Sequence, residues 1–337
     1  MRVVVTDRRF EGDPYREAIE DAGGEIVYRE LYTEDEVIEG TRDADVIVSL
    51  KSPITRRVIE ELEDVRLIQR AGAGYDNINV KAASEHGIPV SNIPGKYCAD
   101  ELSEHAIALM FAAARDVVDS DASMREANGW DERPDVQMLQ GGTFGIVGLG
   151  YIGRAAVPKA EGVGMNVVAY DPYLPDDVFE SLGVERVSFD ELLDRSDCIS
   201  IHAQLTQENT HLFGPEEFEA MQDTAVLVNT ARGAIVDEAA LAEAVVDGEI
   251  WGAGIDVFED EPPVDSPVFE TTRIVCSPHH GARCGNAKEN AIRLITEELV
   301  RAVAGDQLQH VVNPDTLMYG EDDPVDVDRY DVEDYQT

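Results

Sequence analysis

One glycine pattern constrains this chain more than any other feature. Gly148-Leu149-Gly150-Tyr151-Ile152-Gly153 follows the apolar run Gly145-Ile146-Val147 and precedes a helix-like run through Ala155, Ala156 and Val157. Glycines at that spacing, between a strand and a helix, allow a tight turn, close approach of a pyrophosphate and close helix–strand packing. The backbone N–H groups of Gly150, Tyr151 and Ile152 are expected to face phosphate oxygens at the positive end of the helix. Arg154 adds a cation on that edge. A carboxylate at the end of the next strand completes the pattern: Asp171 follows Val167-Val168-Ala169-Tyr170, 18 residues after Gly153. It accepts hydrogen bonds from a ribose diol and repels a 2′-phosphate, which favours NAD(H) over NADP(H). Salt screens an exposed carboxylate, so NADP(H) use stays open.

The rest of the chain frames this unit. At roughly 100–200 residues per domain, 337 residues predict two domains. Apolar residues make up 43%, enough for packed cores, and no apolar run approaches the ~20 residues of a membrane span. The chain opens directly on the strand-like run Arg2–Thr6 without a signal-like pattern, and its four cysteines are too scattered for a disulfide framework. These features point to the cytoplasm and away from a membrane partner. The 69 acids against 27 bases give a formal charge of −42, which argues against a nucleic-acid partner. Only five of the bases are Lys. Self-repulsion of this size weakens a compact state unless salt screens it, so a salt-accumulating (halophilic) cell is the expected setting. The tail Glu321–Thr337 carries eight acids and no packing face, and is expected to be mobile or draped over the surface.

Short β-rich runs alternate with helix-like segments from Arg2 to Ser91 and again from Thr143 to Ser277. This predicts two doubly wound α/β units with parallel sheets. One long helix is expected from Ala99 to about Met124, an irregular arm over Asn128–Gly142, and a last helix over Asn286–Ala304.

Three later strand ends carry chemistry. Arg232 follows the strand Ala225–Asn229, Glu261 follows Asp256-Val257-Phe258, and His279 follows Ser277-Pro278. A guanidinium grips a carboxylate in a bidentate fork, an imidazole exchanges a proton near neutral pH, and a neighbouring carboxylate orients that imidazole and raises its pKa. Spacing alone leaves a surface Arg, a solvated Glu and a capping His equally open. Cys276, His279, His280 and Cys284 fit no common closed zinc spacing, and a metal would occupy the base, so no metal is expected. The cysteines read as core or pocket-wall residues.

Taken together, these motifs resemble the D-isomer-specific 2-hydroxyacid dehydrogenases. The resemblance runs from about Asp45 to Leu317. It includes Ala71–Ile78, Ser91–Gly95, Glu104-His105, the glycine turn, Thr230-Ala231-Arg232-Gly233, Asp256-Val257-Phe258, Glu261-Pro262, Pro278-His279 and Val312-Asn313-Pro314. It implies Arg232, Glu261 and His279 as catalytic residues, in an enzyme that reversibly reduces 2-oxo acids to D-2-hydroxy acids with NAD(P)H. It implies that Asp256 contacts the nicotinamide carboxamide and that His202, Thr230 and Ala231 line the cofactor cleft. The substrate would then be held by the Ala73 and Gly74 backbone amides, with Arg232 and His279. A flavodoxin-like substrate domain (1–98 and 291–337) with an inserted Rossmann cofactor domain (99–290), hinged closure and a homodimer follow from the same likeness. His280, Cys284 and Gln204 depart from the usual pattern, which bears on substrate selectivity. Formate oxidation is disfavoured because formate-oxidising relatives carry Gln where Glu261 stands. Phosphoglycerate oxidation and an NADH-sensing, corepressor-like binding role are the alternatives.

Overall fold

The computed structural model describes residues 1–7, 13–125, 130 and 135–316. The tail Glu321–Thr337 and residues 128, 129 and 131–134 of the irregular arm lie outside the described residues. The chain divides into two compact units, Met1–Tyr97 with Gly285–Thr337, and Cys98–Cys284. Among the described residues, no helix is long and apolar enough to cross a membrane.

In the first unit, β1 (Arg2–Val5), β2 (Glu25–Tyr28), β3 (Val46–Ser49), β4 (Leu67–Arg70) and β5 (Val90–Ser91) form a parallel sheet ordered β2-β1-β3-β4-β5. Helices α1 (Asp13–Asp21), α2 (Glu34–Thr41), α3 (Arg56–Glu60) and α4 (Val80–Glu85) make the crossovers. This is the flavodoxin-like order. Strand residues alternate between faces, so Val4, Ile47, Ile68 and Val90 fill one core and Val3, Val5, Val46, Val48 and Leu67 the other. The chain returns to this unit through the helix Gly285–Ala304. There Glu298, 1% exposed, accepts hydrogen bonds from Ser91 Oγ (3.0 Å) and the backbone N–H groups of Gln309 (2.9 Å) and His310 (3.1 Å). Asn313 accepts from the Val90 N–H (2.7 Å) and donates to the Ile88 carbonyl (3.0 Å), closing the open edge of β5.

The second unit contains α5 (Ala99–Ala114), α6 (Val117–Arg125), β6 (Thr143–Val147), α7 (Tyr151–Gly162), β7 (Asn166–Tyr170), α8 (Asp176–Leu182), β8 (Glu185–Arg186), α9 (Phe189–Arg195), β9 (Cys198–Ile201), α10 (Pro215–Ala220), β10 (Val226–Asn229), α11 (Glu238–Asp247), β11 (Gly252–Ile255) and β12 (Ile274–Cys276). Its parallel sheet runs β12-β11-β10-β9-β6-β7-β8, so the strand order reverses between β6 and β9. Ligands of such sheets lie outside the strand carboxyl ends at that reversal. Phe144, Ile146, Val226 and Val228 pack on one face, and Val147, Ile199, Ile201, Leu227 and Ile255 on the other.

Three expectations need correction. The single helix from Ala99 to about Met124 is two helices, because Asp116 adopts a left-handed backbone (φ 50°) between α5 and α6. Aspartate tolerates that conformation, and no Gly or Pro marks the break. Strand β8 was not expected: it is two residues long, polar and exposed at the sheet edge. Finally, Cys98 and Cys198 are buried, but Cys276 and Cys284 are exposed and all four thiols are free, so Cys276 is an edge-strand surface residue.

Candidate active site

The glycine turn is built by three different constraints. Gly148 has φ 92°, and a Cβ there would lie 2.7 Å from the Ala203 nitrogen. A Cβ on Gly153 would meet the Gly148 carbonyl at 2.3 Å, so helix α7 packs directly on the turn. Gly150 is open on its outer side, leaving the backbone approachable where a pyrophosphate is expected. The first bond of α7 runs from the Arg154 N–H to the Gly150 carbonyl (2.9 Å), so the N–H groups of Tyr151 and Ile152 point outward along the helix axis. Arg154 is only 6% exposed and its Nε donates to the Leu149 carbonyl (3.0 Å). Its guanidinium therefore braces the turn from inside and is not a cation on an open edge. Asp171 accepts from the backbone N–H groups of Leu149 (2.9 Å) and Tyr173 (3.0 Å), which fixes the carboxylate at the end of β7.

Across the strand reversal, His202 follows β9. Its Nε2 lies 3.0 Å from Ser200 Oγ, and burial pushes the imidazole down to about 4, so the ring is neutral near pH 7. Two buried polar atoms here have no hydrogen-bond partner among the described residues: His202 Nδ1 and Thr230 Oγ1. Buried polar groups are rarely left so, and a ligand rich in hydroxyl, amide and phosphate groups would satisfy them. Together with the open side of Gly150, they fit a dinucleotide.

The three acid–base and cationic candidates stand at the ends of three adjacent strands, β10, β11 and β12. After β10, the Asn229 side chain shapes the loop by accepting from the Ala231 N–H (3.0 Å) and donating to the Arg232 carbonyl (2.9 Å). Arg232 donates from Nη1 to the Ala231 carbonyl (2.7 Å). Gly233 presses this loop onto the next one, since a Cβ would fall 1.8 Å from the Phe258 carbonyl carbon. After β11, Glu259 and Glu238 each accept the other's backbone N–H (3.0 and 2.6 Å), tying the loop that carries Glu261 to the start of α11. The Glu261–Pro262 peptide is cis. After β12, His279 Nδ1 lies 2.7 and 2.8 Å from the two Glu261 carboxylate oxygens, while the His279 side chain remains half exposed. The structure thus joins His279 to Glu261 directly and holds the Arg232 loop against the Glu261 loop.

Asp256, fully buried at the end of β11, takes donors on both oxygens. Ser277 Oγ (2.6 Å) and the His280 N–H (3.0 Å) reach Oδ1, and the Gly281 N–H (2.9 Å) reaches Oδ2. Burial alone would push this carboxyl up, but these donors and His105 outweigh it and hold it down to about 2. The expected partners Ala73 and Gly74 lie in the first unit, after β4. Asn229, Glu238, Glu259 and Ser277 were not anticipated. The only signal for Asn229 was an amide side chain at a strand end before a turn.

The glycine turn, the unpartnered polar atoms of His202 and Thr230 and the paired imidazole and carboxylate all stand at strand ends of one parallel sheet. The sequence model described as "D-isomer specific 2-hydroxyacid dehydrogenase, NAD binding domain" matches residues 107–281, and the chain belongs to this family. A D-3-phosphoglycerate dehydrogenase of Methanocaldococcus jannaschii is 39% identical over 316 residues, covering 93% of this chain; the chain spans only 59% of that relative. A glyoxylate reductase of Korarchaeum cryptofilum is 38% identical, with 83% of this chain and 86% of the relative covered. The crystal structure of the Aquifex aeolicus D-lactate dehydrogenase complexed with NAD and lactic acid superposes with a TM-score of 0.81 at 26% identity, covering 91% of this chain and 96% of that one.

Proposed function

We propose that the protein reversibly reduces 2-oxo acids to D-2-hydroxy acids, with Arg232, Glu261 and His279 as catalytic residues. The observation that carries this reading is the His279 Nδ1–Glu261 contact at 2.7 Å, beside the strand end bearing Arg232. With Nδ1 engaged by the carboxylate, Nε2 is the ring nitrogen left to give a proton to the oxo oxygen, or to take it back from the hydroxyl. Glu261 fixes the ring orientation. The Arg232 guanidinium binds the substrate carboxylate and polarises the oxo group. The Ala73 and Gly74 amides are assigned to the same carboxylate.

Gly148, Gly150, Tyr151, Ile152 and Gly153 would hold the pyrophosphate of NAD(H), with Arg154 bracing the turn. Asp171 would hold the ribose diol, and His202, Thr230, Ala231 and Asp256 the cleft and the carboxamide. When bound, the nicotinamide supplies or accepts the hydride. Asp171 favours NAD(H), and salt screening leaves NADP(H) as a second cofactor. A homodimer, and a salt-rich cytoplasm for which the −42 charge is the support, complete the proposal.

The test is spectrophotometric NADH and NADPH oxidation at molar KCl with glyoxylate and pyruvate, with 3-phosphoglycerate oxidation in the reverse direction. Turnover is expected with at least one 2-oxo acid, and His279→Gln should lower kcat by about 10²–10⁴-fold while cofactor still binds. Near-normal turnover of that variant would refute the proton-transfer assignment. No turnover with any substrate would favour the cofactor-sensing alternative.

A further inference from the structure

His105, on α5, has no part in the proton transfer proposed above. Its Nε2 lies 2.9 Å from Ser277 Oγ and 3.4 Å from Asp256 Oδ1. The Asp256 carboxylate can only accept. Ser277 has a single hydroxyl proton, and at 2.6 Å from Oδ1 that proton is committed to Asp256. Toward His105 the same oxygen must therefore accept, so the His105 proton sits on Nε2. The result is a hydrogen-bond chain of fixed polarity, from His105 through Ser277 to Asp256.

On its far side, Asp256 receives three successive backbone amides. The His279 N–H donates to its carbonyl (2.8 Å), the His280 N–H to Oδ1 (3.0 Å) and the Gly281 N–H to Oδ2 (2.9 Å). His279 itself has φ 47°, a left-handed conformation that disfavours a residue with a Cβ and persists only where surrounding contacts impose it. Here the three amides on Asp256 impose it. Helix α5 crowds the same loop, because a Cβ on Gly281 would lie 2.9 Å from Leu102 and 3.1 Å from both Asp256 Oδ2 and the His105 ring. His105, Asp256 and His280 also bring metal-ligand atoms within 4.8 Å of one another. The hydrogen bonds already use His105 Nε2 and both carboxylate oxygens, which favours a positioning role over a metal.

We propose that His105 is a positioning residue for His279, acting through Ser277 and Asp256 to hold the 279–281 backbone in register. The proposal rests on the assignment of His279 as the proton donor. Removing the Nε2–H donor frees the Ser277 hydroxyl to rotate, slackens Asp256 and displaces the His279 ring from its reacting geometry. Misplacement of that kind slows turnover more than it weakens ground-state binding.

The experiment compares kcat and KM of the full chain at molar KCl for His105→Ala, His105→Gln, Ser277→Ala and the double Ala variant, and reads the ring 15N shifts of His105 in the parent. His105→Ala is expected to lower kcat about tenfold with KM for the 2-oxo acid within about twofold. His105→Gln keeps an N–H donor at similar reach and should recover kcat to within about twofold of the parent. The double variant should be no slower than the slower single variant, because both act on one chain. The 15N shifts should show the proton on Nε2. Parent-like kcat in His105→Ala, additive losses in the double variant, no recovery with Gln, or a proton on Nδ1 would each overturn the proposal. If His105→Ala does not fold, the 15N shifts and His105→Gln decide alone. If His279→Gln keeps its turnover, the site assignment fails; if it is inactive while His105→Ala is unaffected, only the positioning role fails.

Discussion

His202 shows how a single side chain in a cleft of this kind is paid for in pH dependence. Its buried imidazole stays neutral down to about 4, whereas in the unfolded chain it takes up a proton near 6.5. Between those values the unfolded state binds more protons than the folded one, so stability rises with pH. The contribution is complete above about pH 6.5 and is lost as pH falls toward 4. We predict that thermal unfolding at fixed salt shows this slope and that His202→Asn reduces it over the same window, the remainder including His310, whose imidazole burial also pushes down. An identical slope in both proteins would contradict the assignment. At this scale the sequence pointed to local geometry: the turn at Gly148, the close packing at Gly153 and the pairing of His279 with Glu261. It was unreadable where a residue works through contacts that only the folded loops create. Asn229 and Ser277 look like ordinary strand-end and turn residues until the loop after β10 is folded on itself and the loop after β12 is placed beside the end of β11. Arg154 was misjudged because a surface cation and a buried brace have the same sequence signature.

Among the elements, alternation of β-rich and helix-like runs was enough to expect two parallel sheets. Order within each sheet was not readable from alternation, since it depends on which strand each crossover returns to. Strand β8 escaped notice because two exposed polar residues carry no period, and the α5–α6 break because it rests on one left-handed aspartate. The Val312-Asn313-Pro314 motif gains its physical reason only in the fold, where Asn313 accepts from the Val90 N–H and donates to the Ile88 carbonyl, next to the 310–312 segment that pairs with β5. Glu298 does the same work from the helix Gly285–Ala304, accepting from Ser91, Gln309 and His310 while almost wholly buried. Glu298→Ala should strip these donors of their acceptor and cost about 2–4 kcal/mol of stability, with Glu298→Gln costing less. Denaturant unfolding at molar KCl measures both. Equal loss in the two variants would mean that packing, and not hydrogen bonding, sets the cost.

Over the whole molecule, 27 bases cannot pair with 69 acids. The arginines present are shared: Arg57 reaches both Glu34 and Asp35, and Arg2 both Glu25 and Asp43. Such exposed pairs contribute little individually, so the uncompensated acids dominate and their repulsion depends on ionic strength. We predict that the melting temperature rises by roughly 10 °C or more between about 0.1 and 2 M KCl. A flat or falling melting temperature would remove the salt-rich setting from the proposal.

The interruption of the first unit by residues 98–284 also has a meaning in time. A ribosome emits the glycine turn, the three chemistry-bearing strand ends and the His105–Ser277–Asp256 chain before it has made Glu298 or Asn313. Domains tend to fold as units during synthesis. The nucleotide-holding half is therefore complete in the nascent chain while the sheet that precedes it still waits for its last helix and edge.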